Sequence, residues 1–159
     1  MNWALISSIL LFYGILILVN VPAPFLGLEF ESENKPRLWC QPPGFVIPVV
    51  WFILFTLLGI ARHILLQNGM SHLQGWLFAL AVLCATYAYY TLGLAKLTDI
   101  SALWYGLFGN VAVILFAGFI AFKLYPASNT AALLTLSVVI WTSFATLIVL
   151  GEMRMEKLL

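Results

Sequence analysis

Charge is what this sequence is short of. Seven Lys and Arg and six Asp and Glu make up 8% of its 159 residues, against about 25% in a soluble domain. That excludes a disordered chain, a nucleic-acid binder and an ordinary water-soluble enzyme. The net charge of +1 offers nothing to attract a polyanion. Cysteine is scarce as well: Cys40 and Cys84 cannot build a disulfide framework, and neither has a companion at metal-ligand spacing. No metal site and no required cofactor are expected. Low-complexity segments and repeats of solenoid or propeller period are missing too.

What fills the chain instead is apolar: 64% hydrophobic and 15% aromatic residues, with a mean hydropathy of +1.06. The charges and histidines fall in short clusters, Glu29 to Arg37, Arg62 to His72, Lys96 to Asp99, Lys123 alone, and Glu152 to Lys157. Between them lie five charge-free stretches, about 1–28, 38–61, 73–95, 100–122 and 124–151. A helix needs about 20 apolar residues to cross the hydrocarbon layer, and each stretch is long enough. Long apolar runs without alternation mean helices rather than a barrel, because backbone polar groups in lipid must be satisfied within the segment. The expected fold is an all-α integral membrane protein, a five-transmembrane-helix bundle. It forms one domain over 1–159, with helices about 3–25, 44–67, 73–96, 101–124 and 130–153 and a lid loop about 26–43.

The first stretch reads as a span and not as a cleavable signal peptide, since no Lys or Arg precedes its apolar run. An odd number of spans excludes a simple two-fold inverted-repeat transporter. Lys35, Arg37, Lys96, Arg154 and Lys157 fall on one side of the membrane, and only Arg62 and Lys123 on the other. The positive-inside rule then places the amino terminus outside and the carboxyl terminus in the cytoplasm.

The first connection, of about 20 residues, mixes acids, bases, prolines and Trp39, and long loops in compact domains are commonly lids. It is expected to pack over the bundle mouth; an interfacial anchor with Trp39 at headgroup level is the alternative. Pro42 and Pro43 set the start of the second span, and Pro48 in its first turns predicts a kink. Trp51 and Trp141 sit away from the membrane interfaces, where an indole N–H finds no partner in lipid. Both are expected to face protein or a cavity, either as helix packing or as a ligand pocket, and Phe55 lies one turn beyond Trp51.

Conventional catalysis finds no acid or base inside any span. His63 and His72, flanking a short loop, are expected to be solvated, and Cys84 to be a small core residue.

Lys35-Pro36, Trp39, Pro42-Pro43-Gly44-Phe45 and Trp51, with Trp51 eight residues after Pro43, resemble the signature of the TspO/MBR family. These are the tryptophan-rich sensory proteins and the mitochondrial translocator protein, or peripheral benzodiazepine receptor. Trp141-Thr142-Ser143-Phe144-Ala145-Thr146 resembles the family's Trp-x-x-Phe-Ala-Thr segment. The resemblance implies a five-helix bundle, a homodimer, and a pocket capped by the first loop. That pocket takes porphyrins (protoporphyrin IX, haem-like tetrapyrroles), and sterols or isoquinoline carboxamides in some members.

On that resemblance Trp51, Phe55, Trp141, Phe144, Ala145 and Ile148 line the pocket, and Trp39, Pro42 and Pro43 belong to the lid. Thr86, Tyr89 and Tyr90 occupy the pocket segment of the third span. Lys35 and Arg37 are candidates for binding porphyrin propionates; ordinary positive-inside topology is the alternative reading of both.

The sequence departs from the pattern in places. Arg37 and Leu38 push the lid tryptophan two residues further from Lys35-Pro36 than is usual, and Val138 and Val149 stand where a Tyr and an Asn are common. No Tyr follows Tyr125, so a sterol motif is missing from the last span, which favours a bacterial cell envelope over a mitochondrial outer membrane. No Gly-x-x-x-Gly face occurs.

Three functions stay open: a porphyrin receptor, sensor or translocator; light-dependent oxidative porphyrin degradation through Trp51 and Trp141, the only catalytic candidates; and a structural membrane subunit without ligand.

Overall fold

A computed structural model describes residues 3–28 and 38–159. The charged part of the first loop, Lys35 and Arg37 included, lies outside the described residues. Among the latter the secondary structure is entirely helical. Helix α1 spans Trp3–Asn20 and is extended by the short α2, Pro22–Phe25. Then come α3 (Val46–Gln67), α4 (Gln74–Ala85), α5 (Leu94–Thr98), α6 (Ala102–Leu124) and α7 (Asn129–Met155). Four helical segments are long and apolar enough to cross a membrane, and α4 with the helix beyond it makes a fifth, bent span. This is the five-span bundle expected from the charge-free stretches.

The helix ends follow local chemistry. Ser101 and Ser128 cap α6 and α7, their hydroxyls accepting the Leu103 and Ala131 amides at 3.3 and 3.2 Å. Asp99 closes α5 in the left-handed region, φ 56°, where a short polar side chain is tolerated. Hydroxyls within the spans turn back onto their own helix: Thr56 donates to the Phe52 carbonyl at 2.8 Å, and Thr135 to that of Ala131 at 2.9 Å. That satisfies them where lipid offers no partner.

Pro48 does not interrupt the second span, which is continuous from Val46 to Gln67. Pro48 is accommodated because it lies in the first turn, where its missing N–H would have had no helical acceptor. The break falls on the third span instead. There α4 ends at Ala85, and a π-helical turn at Tyr89–Gly93 leads into α5, with a bend of 52°. Two groups brace the break: Asn20 Nδ2 donates to the Ala85 carbonyl at 3.3 Å, and the Tyr89 hydroxyl to that of Val19 at 2.7 Å.

The spans close into a ring. Helix α1 packs on α3 and α4, α3 on α7, α7 on α6, and α6 on α4 and its π-helical continuation. The main core fills the half away from the first loop, with Phe12, Leu58, Leu65, Leu77, Leu80, Ile120 and Leu124 fully buried. Gly59 lets α1 and α3 touch there, since a Cβ on it would stand 2.8 Å from the Ile9 Cα. Arg62 is tied down in the same half by Ser8 at 2.7 Å and Gln74 at 3.0 Å. His63 is buried and not solvated, because it shares the inner face of α3 with Gly59; His72 is exposed. Cys84 is a buried core residue, as expected.

Candidate functional site

The loop-side half of the bundle is built differently. Its own buried cluster is small, Ala23, Leu28 and Ala88 with Tyr89 and Leu92 against it. At this end the broken third span packs on α6, and α3 enters the bundle beside α7. Trp51 and Trp141 both pack, half-buried, against the main core from different helices. They stand at its loop-side boundary, Trp51 in the second turn of α3 and Trp141 midway along α7. Trp51 meets Phe55 edge-on at 6.2 Å, and Trp141 lies at 5.6 Å from Phe144.

The expected site residues separate into three groups. Trp51, Trp141, Phe144, Ala145 and Ile148 are all half-buried. Phe55 has no exposed surface and belongs to the core beneath them. On the third span, Thr86 spends its hydroxyl on the carbonyls of Val82 and Leu83, at 2.9 and 3.1 Å, closing the last turn of α4. Tyr89 braces α1, whereas Tyr90 stacks edge-on with Tyr87 at 5.4 Å and covers Gly109 of α6 so closely that a Cβ there would overlap its ring.

The described end of the first loop is fastened to α7. Gln41 donates to the Glu152 carboxylate at 3.0 Å and accepts the Leu38 amide at 3.3 Å. The Leu38 side chain lies on Gly151, where a Cβ would be 2.6 Å from its Cδ1. Pro42 is half-buried and Pro43 exposed. Trp39 is 96% exposed; it points off the bundle and does not pack over the mouth, because Leu38 takes the seat on α7. Two clefts open at this end. One, of about 360 Å³, is lined by Gly27, Lys96, Asp99 and Ser101 among others. The other, of about 500 Å³, is lined by Leu150, Gly151, Arg154 and Leu159 beside the loop's anchorage. Lys96 is engaged by the Gly27 and Leu26 carbonyls at the end of the first span.

Three buried polar atoms lack a hydrogen-bond partner among the described residues: the Tyr90 hydroxyl, Asn110 Nδ2 and the Thr142 hydroxyl. Asn110 and Thr142 were not singled out in the sequence. Their signal was there, one amide in the longest apolar context of α6 and one hydroxyl beside Trp141. A Ser, Thr or Asn in a span is ordinarily absorbed by its own helix, however, and only the fold shows which are not.

Among the described residues Lys, Arg, Asp, Glu and His stand toward the ends of the spans, and no cluster of three or more metal-ligating side chains occurs. What the expected site residues offer is apolar surface, aromatic rings and a few neutral hydroxyls, and neither of the two clefts is lined by Trp51 or Trp141. The model of the TspO/MBR family matches residues 9–153, nearly the whole chain. A search of curated proteins finds no match.

Proposed function

This chain belongs to the TspO/MBR family of helical membrane proteins, and from that premise we propose that it is a receptor or translocator for porphyrins such as protoporphyrin IX. The ligand lies in the loop-side half of the bundle, between Trp51 and Trp141 and under the first loop. One observation carries the reading: two tryptophans from non-consecutive spans border the packed core on the side where that core gives out. A large flat π-system asks for such walls, because stacked rings add about 0.5–1.5 kcal/mol beyond the apolar area they bury.

The loop fastened by Gln41 and Glu152 is the lid over this site. Lys35 and Arg37 of the same loop are the cations for the porphyrin propionates. Sterols and isoquinoline carboxamides are further candidate ligands of the same apolar walls. The amino terminus faces outside, since the loop-side end also carries Lys96, Arg154 and Lys157. The protein works as a homodimer in a bacterial cell envelope.

The test is quenching of tryptophan fluorescence by protoporphyrin IX in nanodiscs, in the dark, for the natural protein, Trp51→Phe and Trp141→Phe. Saturable quenching that weakens in both variants supports the site; unsaturable quenching by folded protein refutes it. The second reading, porphyrin degradation, draws on the same indole pair and predicts loss of porphyrin absorbance only under light. Equal loss in the Trp51→Phe/Trp141→Phe double variant contradicts it.

A further inference from the structure

The rim of the bundle away from the first loop carries cations and no acids. All six acidic residues of the chain, Glu29, Glu31, Glu33, Asp99, Glu152 and Glu156, fall in the first loop or at the loop-side ends of the third and last spans. The opposite rim has Arg62 near the end of α3 and Lys123 near the end of α6. Trp3, 69% exposed, and Trp76, 39% exposed, stand at the same end, as tryptophans at a membrane–water interface do.

The two cations are held differently. Lys123 is exposed, its ammonium 5.5 Å from the centre of the Phe119 ring. Arg62 is half-buried and stands five residues before the end of α3, about 7–8 Å along the helix. Its Nε donates to Gln74 Oε1 of α4 at 3.0 Å, and its Nη1 to the fully buried Ser8 hydroxyl of α1 at 2.7 Å. The guanidinium also lies 5.5 Å from the Phe78 ring. Three helices therefore fix its plane, and every one of these partners is neutral. Neither Nη2 of Arg62 nor Nε2 of Gln74 donates to a described residue, and neither is among the buried atoms without a partner, so both donors reach the surface of the crevice.

A fixed cation at this depth, with no carboxylate near it, is costly unless an anion joins it. Phospholipid phosphates already reside at the headgroup level, whereas a dissolved ion would have to leave water to reach the crevice. A planar guanidinium beside an amide N–H matches the paired oxygens of a phosphodiester. The ammonium of a zwitterionic headgroup would find no acid on this rim, so a lipid of net negative charge fits better.

We propose that Arg62 and Gln74 form a binding site for the phosphate of an anionic phospholipid, in the crevice between α1, α3 and α4 at the rim opposite the first loop. The site does not rest on the porphyrin pocket: Arg62 stands eleven residues beyond Trp51 on α3, about 16 Å along its axis.

Native mass spectrometry of the delipidated full chain in detergent tests it by counting bound palmitoyl-oleoyl phosphatidylglycerol or phosphatidylcholine. The natural protein is expected to bind the first phosphatidylglycerol about tenfold more tightly than the first phosphatidylcholine, and to gain thermal midpoint from the former alone. Arg62→Gln brings that ratio to within about twofold. Arg62→Lys keeps the charge, loses the fork and leaves a ratio of about three, and Lys123→Gln retains the full ratio. Equal binding of the two lipids by the natural protein overturns the proposal, whether or not any variant folds. A ratio that persists in folded Arg62→Gln overturns it too, as does one that falls equally far in Lys123→Gln, the sign of a diffuse charge effect. A midpoint raised as much by inorganic phosphate as by phosphatidylglycerol overturns the lipid as the occupant.

Discussion

The two halves of this bundle are made from the same apolar alphabet and packed to different ends. Away from the first loop, Phe12, Leu58, Leu77, Leu80, Ile120 and Leu124 are sealed against one another, and Arg62, half-buried, is held by Ser8 and Gln74. Toward the loop, the third span breaks, three polar atoms lack partners among the described residues, and the buried cluster shrinks to Ala23, Leu28 and Ala88. Between helices in lipid there is little hydrophobic drive, so close packing and internal hydrogen bonds supply cohesion. The loop half keeps its contacts local, Leu38 on Gly151, Tyr90 on Gly109 and Gln41 on Glu152, and it is the half in which we place the ligand.

Mutations break or sharpen that contrast. The largest effect belongs to the far half: Gly59→Val drives a branched side chain into the Ile9 backbone and is expected to cost about 3 kcal/mol. It should be read as a fall in thermal midpoint and folded yield in detergent. Gly118→Ala, with nothing within 4 Å of its Cβ, should leave both unchanged. Next come the boundary tryptophans. Trp51→Phe and Trp141→Phe are expected to weaken protoporphyrin binding about 3–10-fold each, with little change in thermal midpoint.

The lid follows. Gln41→Leu removes the bond to Glu152, worth about 1 kcal/mol at a half-exposed position, and should speed ligand dissociation about fivefold in stopped-flow experiments. The smallest effect is expected at Trp39: because its ring is exposed, Trp39→Ala should change dark affinity less than about twofold. A loss at Trp39 as large as that at Trp51 would show that the loop closes over the ligand by turning Trp39 inward.

The fold was legible because membrane helices announce themselves by where charge is missing, and that signal spans about 20 residues at a time. The positions of Trp51, Trp141 and Phe144 could be read from short motifs for a similar reason. What could not be read was local. The second span runs unbroken past Pro48 and a bend stands at Thr86–Gly93, where no proline marks it; tertiary bonds to Asn20 and Val19 hold that break, from 65 or more positions away. His63 looked like a loop-end histidine, and the register of α3 turns it inward. Asn110 and Thr142 looked like any polar residue that its own helix can satisfy. Which of these are left without a partner is decided by how the helices pack, and no single segment encodes that.

The central claim is that the loop-side half takes up a flat hydrophobic ligand between Trp51 and Trp141, and one titration addresses it most directly. Protoporphyrin IX is added in the dark to nanodiscs holding the natural protein, the two single tryptophan variants and the double variant, and quenching is followed to completion. The account predicts saturation by the natural protein, weaker binding in each single variant, and the weakest in Trp51→Phe/Trp141→Phe, with all four equally folded. Saturation at the same affinity in all four proteins, or none in any, would contradict it.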